Sequence, residues 1–140
     1  VFGMKTSLIK LTFPSRKIEI NELIDYKEFC KIKETMVKEI TVKELSEMIN
    51  GNADFQLIDV REPYEAEICT INGELIPLGS VPENIDKVAK DKKVIVHCRS
   101  GARSAQAIQF LETKGDFDLF NLKGGILAWA DEIDPGMEKY

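Results

Sequence analysis

Apolar and polar positions follow two rhythms along the chain. Val94-Ile95-Val96 is an unbroken β-branched run that stops at His97-Cys98. Such a run predicts a strand buried on both faces of a parallel sheet. From Ala102 the rhythm turns helical, with Ala105, Ile108, Gln109 and Leu111 at helical spacing up to Lys114-Gly115. The same alternation recurs elsewhere. A first strand is expected over residues 4–13, broken by Pro14-Ser15, with a second alternating stretch over 17–20. Asn21 is placed to cap a short helix to Phe29, and residues 31–38 form a charged linker. Beyond a boundary near Thr35-Met36, a short strand over 38–40 leads to Thr41. Glu44 stands three residues later, as a capping box requires, and Val42, Leu45, Met48 and Ile49 fall on one helical face. Asn50-Gly51 ends that helix. A strand is expected over 55–60, a helix over 64–68, an extended segment over 75–78, a helix over 83–90, a strand over 118–122 and a helix over 126–133. Strands alternating with helices predict an α/β layer structure with a mainly parallel sheet, which binds ligands at the carboxyl ends of its strands. Cys98 lies at one such end, and Asp59 to Arg61 at another.

The junction at Cys98 has chemical content. The first N–H groups of a helix lack intrahelical partners, and the helix dipole puts partial positive charge there. Gly101 lets the backbone curl, so that several N–H groups converge on one centre as an anion-binding nest. Arg99 and Arg103 add formal charge. A thiol in such surroundings ionises more readily than free cysteine, and the thiolate is the nucleophile. The plain alternative is a small buried cysteine at a strand end.

Composition narrows the options. The 140 residues fit one domain with an appendage, and 44% hydrophobic content suffices for a core. A net charge of −5 argues against general nucleic-acid binding, and no apolar run reaches membrane-spanning length. The three cysteines, Cys30, Cys69 and Cys98, form neither a disulfide framework nor a paired zinc motif. They suit a reducing cytoplasm. The opening Val1 fits a piece of a longer polypeptide.

Three stretches carry a family likeness: Asp59-Val60-Arg61-Glu62-Pro63-Tyr64-Glu65, Cys98-Arg99-Ser100-Gly101-Ala102-Arg103-Ser104, and Lys123-Gly124-Gly125-Ile126-Leu127-Ala128-Trp129. Together they resemble the signatures of rhodanese-type sulfurtransferase domains, over about residues 36–140. The ending Ile133-Asp134-Pro135 with Tyr140 resembles the subgroup fused behind adenylating enzymes of the ThiF/MoeB type. Residues 22–30 resemble the end of such an adenylating domain. The resemblance implies residues 1–36 as the tail of that preceding domain or a linker, and 37–140 as a rhodanese domain. It implies a three-layer fold around a five-stranded, mainly parallel sheet. It further implies that Cys98 carries sulfur as a persulfide in the loop Arg99, Ser100, Gly101, Ala102 and Arg103, with Arg103 stabilising the outer sulfur and Arg99 drawing in an anionic donor or acceptor. Asp59, Arg61 and Glu65 would order the site. The implied donor is thiosulfate or a persulfidated cysteine desulfurase. The implied acceptor is a ubiquitin-like sulfur carrier of thiamine, molybdopterin or tRNA-thiolation biosynthesis. No metal and no separate cofactor are expected, and neither nucleic acid nor membrane is an expected partner. Where similar domains carry a histidine after the motif glutamate, this chain has Thr70.

Other readings stand beside this one. Phosphatases and arsenate reductases also hold a cysteine in an anion-binding loop, but with five residues between cysteine and arginine; here there are four between Cys98 and Arg103. A non-catalytic interaction module would dispense with the cysteine. His97 is either a general base or a structural hydrogen-bonding residue. Cys69 is either a resolving thiol or a small core residue, and Trp129 either lines a pocket or packs in the core.

Overall fold

The computed structural model describes residues 9–13, 16–20 and 36–140. The chain divides into two compact units, Val1–Met36 and Val37–Tyr140. In the first unit, strands β1 (Ile9–Phe13) and β2 (Arg16–Ile20) pair antiparallel, with Ile9 opposite Ile20 and Phe13 opposite Arg16. The expected strand residues 4–8, the helix from Asn21 to Phe29, Cys30 and linker residues 31–35 lie outside the described residues.

The second unit is a three-layer α/β structure. Its strands are β3 (Glu39–Ile40), β4 (Phe55–Asp59), β5 (Glu74–Leu75), β6 (Lys93–His97) and β7 (Asp118–Leu122). They form one five-stranded sheet in the order β3-β7-β6-β4-β5, and every pairing is parallel. The helices are α1 (Val42–Asn50), α2 (Pro63–Ile68), α3 (Ala102–Glu112) and α4 (Gly125–Glu132). No helix among the described residues is long and apolar enough to cross a membrane.

Strand β6 is the spine. Val94, Ile95 and Val96 are each fully buried, because the sheet is covered on both faces. Alternation sends Val94 and Val96 into one core with Ile108, Leu111 and Leu119. Ile95 enters the other, with Val42, Leu45, Leu122 and Ile126. Burial of such side chains stabilises the fold by roughly 1.5–3 kcal/mol each. The register of β4 on β6 sets Asp59 opposite His97, so both strands end at the same level.

Local chemistry sets the helix starts. Thr41 Oγ1 accepts the Glu44 N–H at 3.1 Å, and Glu44 Oε2 accepts the Thr41 N–H at 2.8 Å, completing the expected capping box. Pro63 occupies the first position of α2, where a missing N–H costs nothing, so this helix begins one residue earlier than the pattern predicts.

The expected helix over residues 83–90 does not form. Two short 3-10 turns, Leu78–Glu83 and Ile85–Lys87, take its place. Gln56 on β4 explains the difference: its amide donates to the Lys87 carbonyl at 2.7 Å and accepts the Ala89 N–H at 2.7 Å. Those backbone groups are therefore satisfied across the fold instead of along a helix. Of the extended segment expected over 75–78 only Leu75 joins the sheet, as the second residue of Glu74–Leu75, with Pro77 just beyond.

Replacing Ile95 by alanine should cost about 3 kcal/mol of unfolding free energy, and Thr41→Ala about 1 kcal/mol. Urea denaturation of both variants checks this. An Ile95→Ala loss no larger than that of the cap variant would contradict the placement of the core.

Candidate active site

Cys98 follows the last residue of β6 and packs in the same core as Val94 and Val96. Beyond it the chain turns sharply. Gly101 has φ of +111°, in the left-handed region that favours glycine. Its N–H donates to Cys98 Sγ at 3.0 Å. The carbonyls of Cys98 and Arg99 accept the N–H groups of Ile126 (3.0 Å) and Leu127 (3.1 Å), at the start of α4. Two unpartnered amides of α4 are thereby satisfied by the loop. Only glycine allows this approach at position 125, because a Cβ there would lie 2.4 Å from the Arg99 oxygen and 2.7 Å from that of Cys98.

Burial pushes the Cys98 thiol up. Hydrogen bonds from the Ser104 hydroxyl and from the N–H groups of Ser104, Gly101 and Ser100 outweigh it, and the thiol lies below its ordinary value. Ser104, fully buried in the first turn of α3, was not among the expected site residues. Its Oγ lies 3.4 Å from Cys98 Sγ, 2.6 Å from Asn121 Oδ1 and 3.1 Å from the Gly101 carbonyl. Asn121 Nδ2 donates to that same carbonyl at 3.0 Å, which turns Oδ1 towards Ser104. A hydroxyl has one proton to give. Against a neutral thiol, Ser104 donates to Asn121 and accepts from sulfur. Against a thiolate, the proton turns to sulfur. The sequence signal for this pair was a serine ending the Cys-Arg-Ser-Gly-Ala-Arg-Ser motif and an asparagine among the apolar residues of β7.

The expected ordering residues surround the loop in two ion pairs. Arg61 is fully buried and places all its donors. Nε and Nη2 bond Asp59 at 2.9 and 2.7 Å, Nη2 also bonds the Cys69 carbonyl at 2.9 Å, and Nη1 reaches the Glu65 carbonyl at 3.3 Å and the Tyr140 hydroxyl at 3.1 Å. Burial opposes the Arg61 charge, but the bonds to Asp59 and Tyr140 outweigh it and hold the guanidinium protonated. The second pair differs from expectation. Arg103 does not stand free to hold a sulfur anion: its Nη1 and Nη2 each lie 2.7 Å from an oxygen of Glu65. Helix α2 presents Glu65 directly opposite the start of α3, and the bidentate fork matches a carboxylate. Glu65, 3% exposed, is held down to about 2, first by Arg103, then by the Glu62 N–H and the Tyr140 hydroxyl against the cost of burial.

Arg99 is exposed, and its Nε donates to the main-chain oxygen of Tyr140 at 2.8 Å. His97 faces Asp59, with Nε2 3.7 Å from Oδ2, and a Cβ on Gly73 would lie 3.3 Å from the same nitrogen. Burial pushes the His97 imidazole down, keeping it neutral. Its Nδ1 is 3.4 Å from the Cys98 carbonyl, so it supports the strand end. Cys69 and Trp129 are partly buried against the second core. Thr70 Oγ1 accepts the Asn72 N–H at 3.0 Å. A groove of about 570 Å³ opens nearby, lined by Thr41, Lys43, Lys123, Gly124, Asp131 and Glu132, without Cys98. No cluster of three or more His, Cys, Asp or Glu able to hold a metal occurs among the described residues.

A strand-end cysteine in a loop of converging amides is thus set between two ion pairs, one fully buried and one whose arginine is partly exposed. The family model for the rhodanese-like domain matches residues 41–132. The chain belongs to the rhodanese-like family. It is 34% identical over 131 residues to the probable adenylyltransferase/sulfurtransferase MoeZ of Mycobacterium tuberculosis, covering 87% of this chain and 33% of that protein. It is 40% identical over 96 residues to a sulfurtransferase of Allochromatium vinosum, covering 68% of this chain and 90% of the relative. A rhodanese-like domain protein from Staphylococcus aureus has a crystal structure that matches with a TM-score of 0.63 at 33% identity, covering 74% of this chain and 99% of that one. The chain therefore spans about a third of the length of MoeZ and nearly all of the single-domain relatives.

Two outcomes follow for this rhodanese-like site. Ser104→Ala should move the pH profile of Cys98 alkylation to higher pH and slow the reaction at neutral pH roughly three- to tenfold, since one charge-assisted bond is lost. An unmoved profile would remove Ser104 from the thiolate's support. The folded Glu65 carboxyl at about 2 against 4.5 unfolded contributes about 3 kcal/mol, present above pH 4.5 and lost as pH falls towards 2. Arg103→Ala should therefore be destabilised at pH 7 and show a flatter loss of stability between pH 5 and 3 than the parent, as read by urea unfolding. The neutral His97 also loses stability as pH falls below its ordinary 6.5, but it is common to both proteins and cancels.

Proposed function

We propose that the chain is the sulfur-transferring domain of a sulfurtransferase, with Cys98 as its nucleophile. The observation that carries this is the Gly101 N–H, 3.0 Å from Cys98 Sγ, in a loop fixed by α4. The names of the MoeZ and Allochromatium relatives support it.

The Cys98 thiolate attacks the outer sulfur of thiosulfate. The S–S bond of the donor breaks, sulfite leaves with the electron pair, and Cys98 holds a persulfide whose outer sulfur carries the negative charge. The inward N–H groups of Ser100, Gly101 and Ser104 then face that charge, as preorganised donors do in an oxyanion hole. Cyanide attack on the outer sulfur regenerates the thiolate and yields thiocyanate. A cysteine desulfurase persulfide can replace thiosulfate as donor by the same exchange. With an adenylated carrier C-terminus as acceptor, the outer sulfur displaces AMP to give an acyl disulfide. A second thiol then releases the carrier thiocarboxylate and leaves Cys98 in a disulfide. Arg103, committed to Glu65, positions the loop rather than binding substrate. That commitment also disfavours a phosphatase, which needs a free guanidinium for phosphate.

The likeness to MoeZ supports placing this domain behind an adenylating domain, with residues 1–36 as the tail of that domain or a linker, and with a ubiquitin-like sulfur carrier as partner. Thiamine, molybdopterin and tRNA thiolation are the processes such a carrier serves. A reducing cytoplasm would keep Cys98 available as a thiol.

Incubation with thiosulfate should add the mass of one sulfur atom at Cys98, and later cyanide should remove it as thiocyanate. Mass spectrometry reads the first step and colorimetric thiocyanate the second. An equal signal from Cys98→Ala, or no adduct on the parent protein, would sink the proposal.

A further inference from the structure

Tyr140 meets the site through every part of its residue. Its hydroxyl donates to Glu65 Oε1 at 2.9 Å and accepts from Arg61 Nη1 at 3.1 Å. Its ring lies beneath the Arg99 guanidinium, 5.4 Å from centroid to Cζ, and beside that of Arg61 at 6.0 Å. Its main-chain oxygen accepts from Arg99 Nε and Nη2. The tail leading to it is tied down: the Met137 N–H bonds the Asp134 carbonyl at 3.0 Å, Lys139 pairs with Asp131, and Met137 and Tyr140 pack on the second core.

The three arginines of the site differ in one respect. Arg61 is neutralised by Asp59 and Arg103 by Glu65. Arg99 makes no ion pair with an Asp or Glu among the described residues, and its guanidinium is occupied by Tyr140 alone. Arg99 directly follows Cys98 in the chain and is exposed, whereas Cys98 is 1% exposed. It is thus the arginine of the loop that faces no Asp or Glu carboxylate among the described residues, and the tyrosine engages it through its ring and main-chain oxygen.

We propose that Tyr140 is a specificity-determining residue of the sulfur-transfer site: by holding Arg99, it limits the pull of the loop on small anionic donors. This rests on the proposed sulfur transfer for its biological meaning, but the contact itself does not. While Tyr140 is seated, the Arg99 donors bond a main-chain oxygen and its face is stacked. When Tyr140 leaves, Arg99 is free to meet a sulfonate or carboxylate. A protein donor or carrier that displaces Tyr140 on docking gains that guanidinium, whereas free thiosulfate must compete for it. The phenol hydroxyl, shared between Arg61 and Glu65, is the latch.

The test compares alkylation of Cys98 in the full chain by iodoacetate, an anion, and iodoacetamide, its neutral counterpart. Tyr140→Ala should raise the iodoacetate-to-iodoacetamide rate ratio about three- to tenfold at low salt, the worth of one partly screened charge contact. Tyr140→Phe keeps the ring and loses the latch, so its ratio should rise less, in the same direction. Adding Arg99→Ala to Tyr140→Ala should abolish the gain, and raised salt should shrink it. The thiosulfate KM of Tyr140→Ala should fall by more than kcat changes. A flat ratio in both tyrosine variants, or a gain that survives loss of Arg99, would overturn the proposal even if sulfur transfer is intact. A ratio that moves with Arg99 in a protein that takes up no sulfur from thiosulfate would uphold the contact and sink the sulfurtransferase reading.

Discussion

The site depends on two backbone hydrogen bonds, from Ile126 and Leu127 to the carbonyls of Cys98 and Arg99. The carbonyl of one peptide and its N–H point in opposite directions. Turning the Arg99 carbonyl towards α4 therefore turns the Ser100 N–H the other way, towards sulfur, where the Gly101 N–H joins it. The helix gains partners for amides that would otherwise lack them, and the loop gains its curvature from the same bonds. The missing Cβ at Gly125 makes this approach possible. An alanine there would push α4 away and release the carbonyls, so the anion cradle and the start of the last helix stand or fall together.

Around this cradle the charges are arranged for shape. Asp59 with Arg61 is an ion pair taken out of water, and Glu65 with Arg103 is one with its arginine partly exposed; whatever each loses on protonation, such pairs seldom add much net stability over apolar packing of the same volume. Their value lies in direction. Arg61 reaches from the end of β4 to the Cys69 carbonyl, fixing the segment after α2. Glu65 holds the first turn of α3 against α2. One chain segment is thus anchored to the end of β4 and another to the start of α3, and neither anchor touches the Cys98 sulfur.

Much of this was visible in the residues. The apolar run at 94–96, the capping box at Thr41 and the glycines after Lys123 each use a short-range rule, and each element formed where its rule placed it. The cysteine loop was legible for the same reason: strand end, glycine and helix start lie within a few residues. What escaped depends on contacts across the fold. Gln56 replaces the helix over 83–90 from 31 residues away in sequence, through its bond to Lys87. Arg103 sits beside Cys98 in the motif, yet its charge answers to Glu65, 38 residues earlier. Ser104 and Asn121 meet only because β7 lies beside β6. Proximity in sequence picked out Cys98 and its loop; it could not identify the partners of the residues around them.

The two edge strands, β3 and β5, are each two residues long. An edge this short offers almost no ladder on which another chain could extend the sheet. Addition of a partner strand, a common way for sheet proteins to recognise extended peptides, therefore finds little purchase on β3 or β5 themselves. The loops at the carboxyl ends of the strands offer side chains rather than main-chain ladders for contact. Affinity for a partner can then change by substitution at those loops without disturbing the register of the sheet that holds the cysteine.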